Sequence, residues 1–154
     1  PDYPEGIYDK VQAVNAKGVW MGCKSVIPVL TDGGCILITS SVAGLKGFAN
    51  LIPYVMSKHA VTGLTKSLAI ELAPQKIRVH SIHPGPVDNR MMRSIEAQLA
   101  PDAPQVVQEG FTASIPMGRY AENEEVARVA LFLAQKEQSY LTGTQQLVDG
   151  GMVL

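Results

Sequence analysis

Residues 35–58, CILITSSVAGLKGFANLIPYVMSK, carry the decisive reading of the fold. Cys35-Ile36-Leu37-Ile38-Thr39 is a short apolar run after the Gly33-Gly34 break, which suits a strand buried on both faces. Ser40 to Ile52 is a small-residue loop containing Gly44 and Gly47. A long helix is predicted from about Pro53 to Ala73. Pro53 fits a first helical turn and Pro74 stops the helix.

Elements of alternating type extend outward from this segment. Upstream, Glu5 to Leu30 has apolar spacings near three to four and reads as a helix. Downstream, Ile77 to His83 alternates β-branched and polar residues, reads as a strand, and ends at Pro84-Gly85-Pro86. Met91–Leu99 and Pro104–Ala113 read as short helices. Asn123-Glu124-Glu125 opens another helix reaching Ala134, with acidic residues placed against the helix dipole. Gln145–Val148 is the last predicted strand, ended by Asp149-Gly150-Gly151. Strands separated by helices imply parallel βαβ units with right-handed crossovers. Three strands make a small sheet whose edge is expected to lie open.

Length and composition bound the function classes. The 154 residues suit one domain, 1–154, and 46% hydrophobic against 18% charged residues exclude a charge-driven disordered chain. A net charge of −1 provides no basic field for nucleic acid or an anionic membrane, so neither is expected as a partner. No apolar run approaches the ~18–20 residues of a membrane span. Cys23 and Cys35 read as free thiols of a reducing, cytoplasmic compartment. His59, His80 and His83 lack metal-ligand spacing, so no metal is expected.

Tyr54 and Lys58 stand four apart and share one helix face. An ammonium held near a phenol favours the phenolate, which makes a tyrosine usable as a general acid or base near neutral pH. The pair alone is a weak signal, and its context strengthens it. Ser40 and Ser41 follow a buried strand, at the end where parallel sheets bind ligands. Ser41 lies 13 residues before Tyr54, and Pro84-Gly85 ends the next strand on the same edge.

Five segments in this order and spacing resemble the short-chain dehydrogenase/reductase family. They are Asn15-Ala16-Lys17-Gly18, Ser41-Val42-Ala43-Gly44, Tyr54-Val55-Met56-Ser57-Lys58, Ile82-His83-Pro84-Gly85-Pro86-Val87 and Leu147-Val148-Asp149-Gly150-Gly151. The resemblance spans nearly the whole chain. It implies an α/β, Rossmann-like doubly wound parallel sheet, of which these residues supply the C-terminal part, about three strands with flanking helices. It also implies an oxidoreductase that moves hydride reversibly between NAD or NADP and a carbonyl or secondary alcohol.

The implied catalytic residues are Asn15, Ser41, Tyr54 and Lys58. Tyr54 would exchange the proton with the substrate oxygen, and Ser41 would hold that oxygen. Lys58 would bind the nicotinamide ribose and favour ionised Tyr54. Asn15, at a break in its helix, would anchor a water of the proton relay. Tyr54, Lys58, Pro84, Gly85, Val87 and Asn89 would contact cofactor. Family members usually carry Thr at the position of Asn89, so altered contact detail is expected there. Ser41, Val42, Tyr54, Met91, Met92 and Ile95 would contact substrate, within a mobile lid over 90–118. His83 is a further candidate for cofactor contact. Arg119 is expected to form a structural ion pair.

The family's Gly-x-x-x-Gly-x-Gly turn, which places a pyrophosphate at a helix N-terminus, does not occur in these 154 residues. The resemblance therefore implies a fragment of a domain of about 250 residues. Such a fragment alone is expected to bind cofactor poorly. In the full chain, the helices at 5–30 and 53–73 are expected to build a homo-oligomer, a tetramer or dimer. One alternative stays within enzymes: epimerisation or dehydration with a retained nicotinamide. Another is a truncated, non-catalytic chain that associates with full-length subunits.

Overall fold

The computed structural model describes residues 3–154. Three strands, β1 (Cys35–Thr39), β2 (Arg78–Pro84) and β3 (Gln145–Val148), form one parallel sheet in the order β1-β2-β3. The register pairs Cys35 with Arg78 and Thr39 with Ile82, then Ser81 with Gln145 and Pro84 with Val148. All three strands therefore end on one edge, from which the candidate site is built.

The first helical stretch is divided. α1 (Glu5–Gln12) passes into a π-helical turn, Ala13–Lys17, and then into α2 (Gly18–Val26). A periodicity near 3.6 does not reveal this extra residue, so the sequence reads as one helix. α3 spans Ile52–Leu72, with Pro53 in its first turn, and joins β1 to β2. α4 (Arg90–Leu99), α5 (Pro104–Ala113) and α6 (Asn123–Ala134) fill the second crossover. A capping box between Glu122 and Glu125 starts α6.

Helices cover both faces of the sheet, so the doubly wound arrangement is present. On one face Ile36, Ile38 and Val79 pack with Cys23 of α2 and with Val61, Leu68, Ala69 and Leu72 of α3. On the other, Arg78 reaches the C-terminal end of α6, donating to the carbonyls of Leu133 (2.6 Å) and Ala134 (3.1 Å). A guanidinium there satisfies orphan carbonyls at the negative end of the helix.

β2 is buried along nearly its whole length, polar residues included. Its alternation thus marks two helix-covered faces and no solvent face. His80 pairs Nδ1 with Thr144 Oγ1 (2.7 Å), while its Nε2 has no partner. Among the described residues, no helix is long and apolar enough to cross a membrane, and no group of three His, Cys, Asp or Glu could hold a metal.

Candidate active site

β1 delivers Ser41 to the strand-end edge. The ladder continues one residue beyond the strand, where the Ser40 amide donates to the Ile82 carbonyl (2.9 Å). Ser41 then caps a 3-10 turn, Val42–Gly44, its Oγ accepting from the Ala43 amide (3.1 Å). With that lone pair used, the Ser41 hydroxyl proton is left to point at an acceptor.

The loop is stitched to α3 by short side chains. Ser40 Oγ donates to the Lys58 carbonyl (3.0 Å), and Thr62 Oγ1 lies 2.9 Å from the same oxygen. Gly44 is wedged into this contact. A Cβ there would lie 2.3 Å from Ser40 Oγ and 2.8 Å from the Lys58 carbonyl oxygen. Only a glycine lets the two backbones come so close.

Tyr54 and Lys58 occupy the first turns of α3, both half-buried. Lys58 Nζ donates to the Thr39 carbonyl at the end of β1 (3.1 Å) and lies 5.6 Å from the Tyr54 ring centroid. Burial pulls the Lys58 ammonium below its ordinary range, and no carboxylate among the described residues pairs with it.

Asn15 sits in the π-helical turn, and its Nδ2 donates to Ser57 Oγ (3.2 Å). Ser57 Oγ in turn donates to the Tyr54 carbonyl (2.7 Å). Gln12 Nε2 adds a bond to the Pro53 carbonyl (2.9 Å). α1 and the π turn therefore grip the start of α3 at Tyr54. π turns often mark sites where a helix must re-aim a side chain.

The second strand end supplies the opposite wall. The Gly85 amide donates to the Val148 carbonyl (3.0 Å), and a Cβ on Gly85 would stand 3.1 Å from Asp149 Cα. Val87 bridges to Ala121, with the Asp88 amide donating to the Ala121 carbonyl (2.8 Å). Pro84, Gly85 and Val87 thus lie in a braced segment. A cleft bordered by Pro86, Ile115, Met117, Val148 and Asp149 opens beside it.

Asn89 caps α4, its Oδ1 accepting from the amides of Met91 (3.0 Å) and Met92 (3.3 Å). His83 is fully buried and pairs both ring nitrogens within the protein, so its imidazole does not reach a cofactor. On α4, Met91 is 72% exposed, while Met92 and Ile95 are half-buried. Val42 is buried beneath the Ser41 turn.

Arg119 makes the expected ion pair, a bidentate one with Glu125 at 2.7 Å for both contacts. That pair holds the Glu125 carboxyl down at about 2.

The sequence reading gave no role to Ser57 or Thr62. Ser57 lies three residues after Tyr54 and Thr62 four after Lys58, so helical spacing alone puts both on the active face.

A family model described as enoyl-(acyl carrier protein) reductase matches residues 2–153. Oxidoreductase UcpA of Salmonella typhimurium is 42% identical over 144 residues, covering 92% of this chain and 55% of its own. The crystal structure of levodione reductase superposes with a TM-score of 0.94 at 34% identity, covering 97% of this chain and 59% of that one. A short-chain dehydrogenase family protein from Francisella tularensis superposes at 0.93 with 28% identity, covering 98% and 64%. The chain spans about half the length of the curated relatives it matches. A family match from residue 2 to residue 153, together with superposition on a solved short-chain dehydrogenase family protein, establishes that this chain belongs to the short-chain dehydrogenase/reductase family.

Proposed function

We propose that these residues form the nicotinamide-proximal, C-terminal portion of an NAD(P)-dependent oxidoreductase of about 250 residues, a single-domain size. Its reaction is the reversible interconversion of a carbonyl and a secondary alcohol. The observation that carries this reading is Lys58. It is half-buried, hydrogen-bonded to one backbone carbonyl, and set beside the Tyr54 ring with no carboxylate partner among the described residues. An ammonium with donors to spare suits neutral hydroxyl acceptors such as those of a ribose.

The residues present fit the nicotinamide end of the cofactor. Lys58 would hold the ribose hydroxyls, and the braced Pro84-Gly85 and Val87 backbone would flank the ring. When bound, the cofactor supplies or accepts the hydride.

The protein handles the proton. In reduction, the Tyr54 hydroxyl proton passes to the substrate oxygen as that oxygen gains charge. In oxidation, Tyr54 takes the proton back from the alcohol. Ser41 Oγ donates to the same oxygen and orients it, and its turn pre-positions that donor at no cost during the reaction. Asn15, tied to Tyr54 through Ser57, holds the entrance of a proton path from solvent. Met92 and Ile95 present apolar surface to the substrate, with Met91 joining them at the rim. The exposed apolar residues Trp20 and Met21 on α2 support homo-oligomeric assembly.

Replacement of Tyr54 by Phe in the full-length enzyme tests the assignment. Turnover should fall by ~10²–10⁴-fold, with cofactor affinity nearly unchanged. Retained turnover would reject Tyr54 as the proton donor.

A further inference from the structure

Two buried histidines lie on the central strand, and they differ in what they hold. His80 has one partnered nitrogen, whereas His83 has two. His83 Nδ1 lies 2.8 Å from the Ser41 carbonyl oxygen, and its Nε2 lies 2.8 Å from Ser81 Oγ. A carbonyl can only accept, so Nδ1 carries the proton, and Nε2 accepts from the Ser81 hydroxyl. Both His83 and Ser81 are completely buried, so the bond between them does not compete with bulk water, and the bond to the Ser41 carbonyl is partly buried.

The Ser41 carbonyl therefore receives two donors, the His83 ring and the Gly44 amide (2.9 Å), which together use both of its lone pairs. Ser41 Oγ accepts from Ala43 on the far side of the same turn. The peptide plane and the side chain of Ser41 are thus fixed independently.

We propose that His83 is a positioning residue for Ser41. Its Nδ1–H, oriented by Ser81, clamps the Ser41 carbonyl and thereby aims the Ser41 hydroxyl at the substrate oxygen. The proposal rests on the role given to Ser41 above. Loss of the clamp leaves a buried carbonyl one donor short and frees the turn to rotate. The effect belongs to kcat, since the Ser41 donor acts on the oxygen as charge develops.

The full-length enzyme tests this with four variants, measured by steady-state kinetics and thermal melts. His83→Leu keeps bulk and removes both bonds, and kcat should fall on the order of tenfold with KM little changed. His83→Asn restores an N–H near the Nδ1 position and should recover most of that loss. In a Ser41→Ala background, His83→Leu should add no further loss, because the clamp has nothing left to aim. An equal His83→Leu penalty with and without Ser41 overturns the positioning role and leaves a general structural one. A His83→Leu chain that fails to melt cooperatively is replaced by the milder Ser81→Ala. That variant should show a smaller kcat loss that likewise vanishes with Ser41→Ala, and a persistent loss overturns the proposal. If Ser41→Ala itself leaves turnover intact, the site reading fails, and the clamp fails with it.

Discussion

The segment from β1 through α3 to β2 and the α4–α5 excursion are built on opposite plans. The first is dense in polar pairing, most of it at least partly buried: Ser40 to Lys58, Ser57 to Tyr54 and His83 to Ser41, with the more exposed bond of Lys58 to Thr39 beside them. The second leaves Met91, Leu99 and Val106 more than 60% exposed. It is moored by one cluster, in which buried Glu96 accepts from the Tyr120 hydroxyl (2.9 Å) and pairs with Arg93 (2.9 Å). Arg93 also lies 3.0 Å from Asp88 and over the Tyr120 ring. The groups proposed to handle the proton thus sit on densely hydrogen-bonded backbone, and the apolar residues proposed to meet substrate sit on a more sparsely bonded element. Buried hydrogen bonds are costly to leave half-made, so they define one geometry, whereas a sparse contact set tolerates several.

Gly44→Ala should break the rigid side most severely. Its Cβ has no room beside Ser40 Oγ and the Lys58 carbonyl. Overpacking of this kind costs ~1–3 kcal/mol and displaces the Ser41 turn, so melting temperature and turnover should fall together. Preserved activity with an unchanged melt would show that the turn is not as tightly specified as its contacts indicate.

Tyr120→Phe addresses the other side. Burial, and then the bond to Glu96, hold the Tyr120 hydroxyl protonated far above its ordinary range. Removing it should cost about 1–2 kcal/mol, the lower part of the range for a bond to a charged group, since Arg93 still pairs with Glu96. Hydrogen exchange should quicken in α4 and stay slow in β1 and β2. Uniform loss of protection would mean that the two regions open as one unit.

A pH series sharpens the contrast. Burial pushes His80 and His83 below the usual value of 6.5, aided by Arg78 beside His80 and by Lys58 and His59 near His83, against the Ser41 carbonyl, which pulls His83 upward. The folded state therefore resists protons that the unfolded chain accepts. Stability should be flat above about pH 6.5 and decline as pH falls below it. His80→Asn should flatten part of that decline in denaturant titrations, and an unaltered slope would assign it elsewhere.

The smallest stability effect is expected at Met91. Met91→Gln should move stability by no more than about 0.5 kcal/mol, as for an exposed position. It should nevertheless change the ranking of alcohol substrates by kcat/KM. An unchanged ranking would remove Met91 from the substrate surface.

Much of this organisation is legible in the amino-acid order. α5, α6 and β3 fall at their predicted residues, because prolines, acidic first turns and glycines punctuate them locally. α3 begins one residue early, and β2 is shifted by one. Tyr54 and Lys58 declare themselves by i,i+4 spacing, and Ser41 by following a buried strand. The π turn at Ala13–Lys17 leaves the apolar period almost undisturbed, and only the family resemblance placed a break at Asn15. The capping role of Asn89 was open to view, as asparagine is a preferred helix cap.

What the sequence by itself determined is therefore whatever depends on neighbours along the chain: helix starts and stops, strand tracts, and the face shared by Tyr54 and Lys58. The tertiary structure alone decided which polar groups face one another across 18 to 42 residues, as in Ser40 with Lys58 and His83 with Ser41. Such pairings carry no local periodicity. They exist only once the parallel register brings the ends of β1 and β2 side by side and excludes the water that would otherwise satisfy those groups.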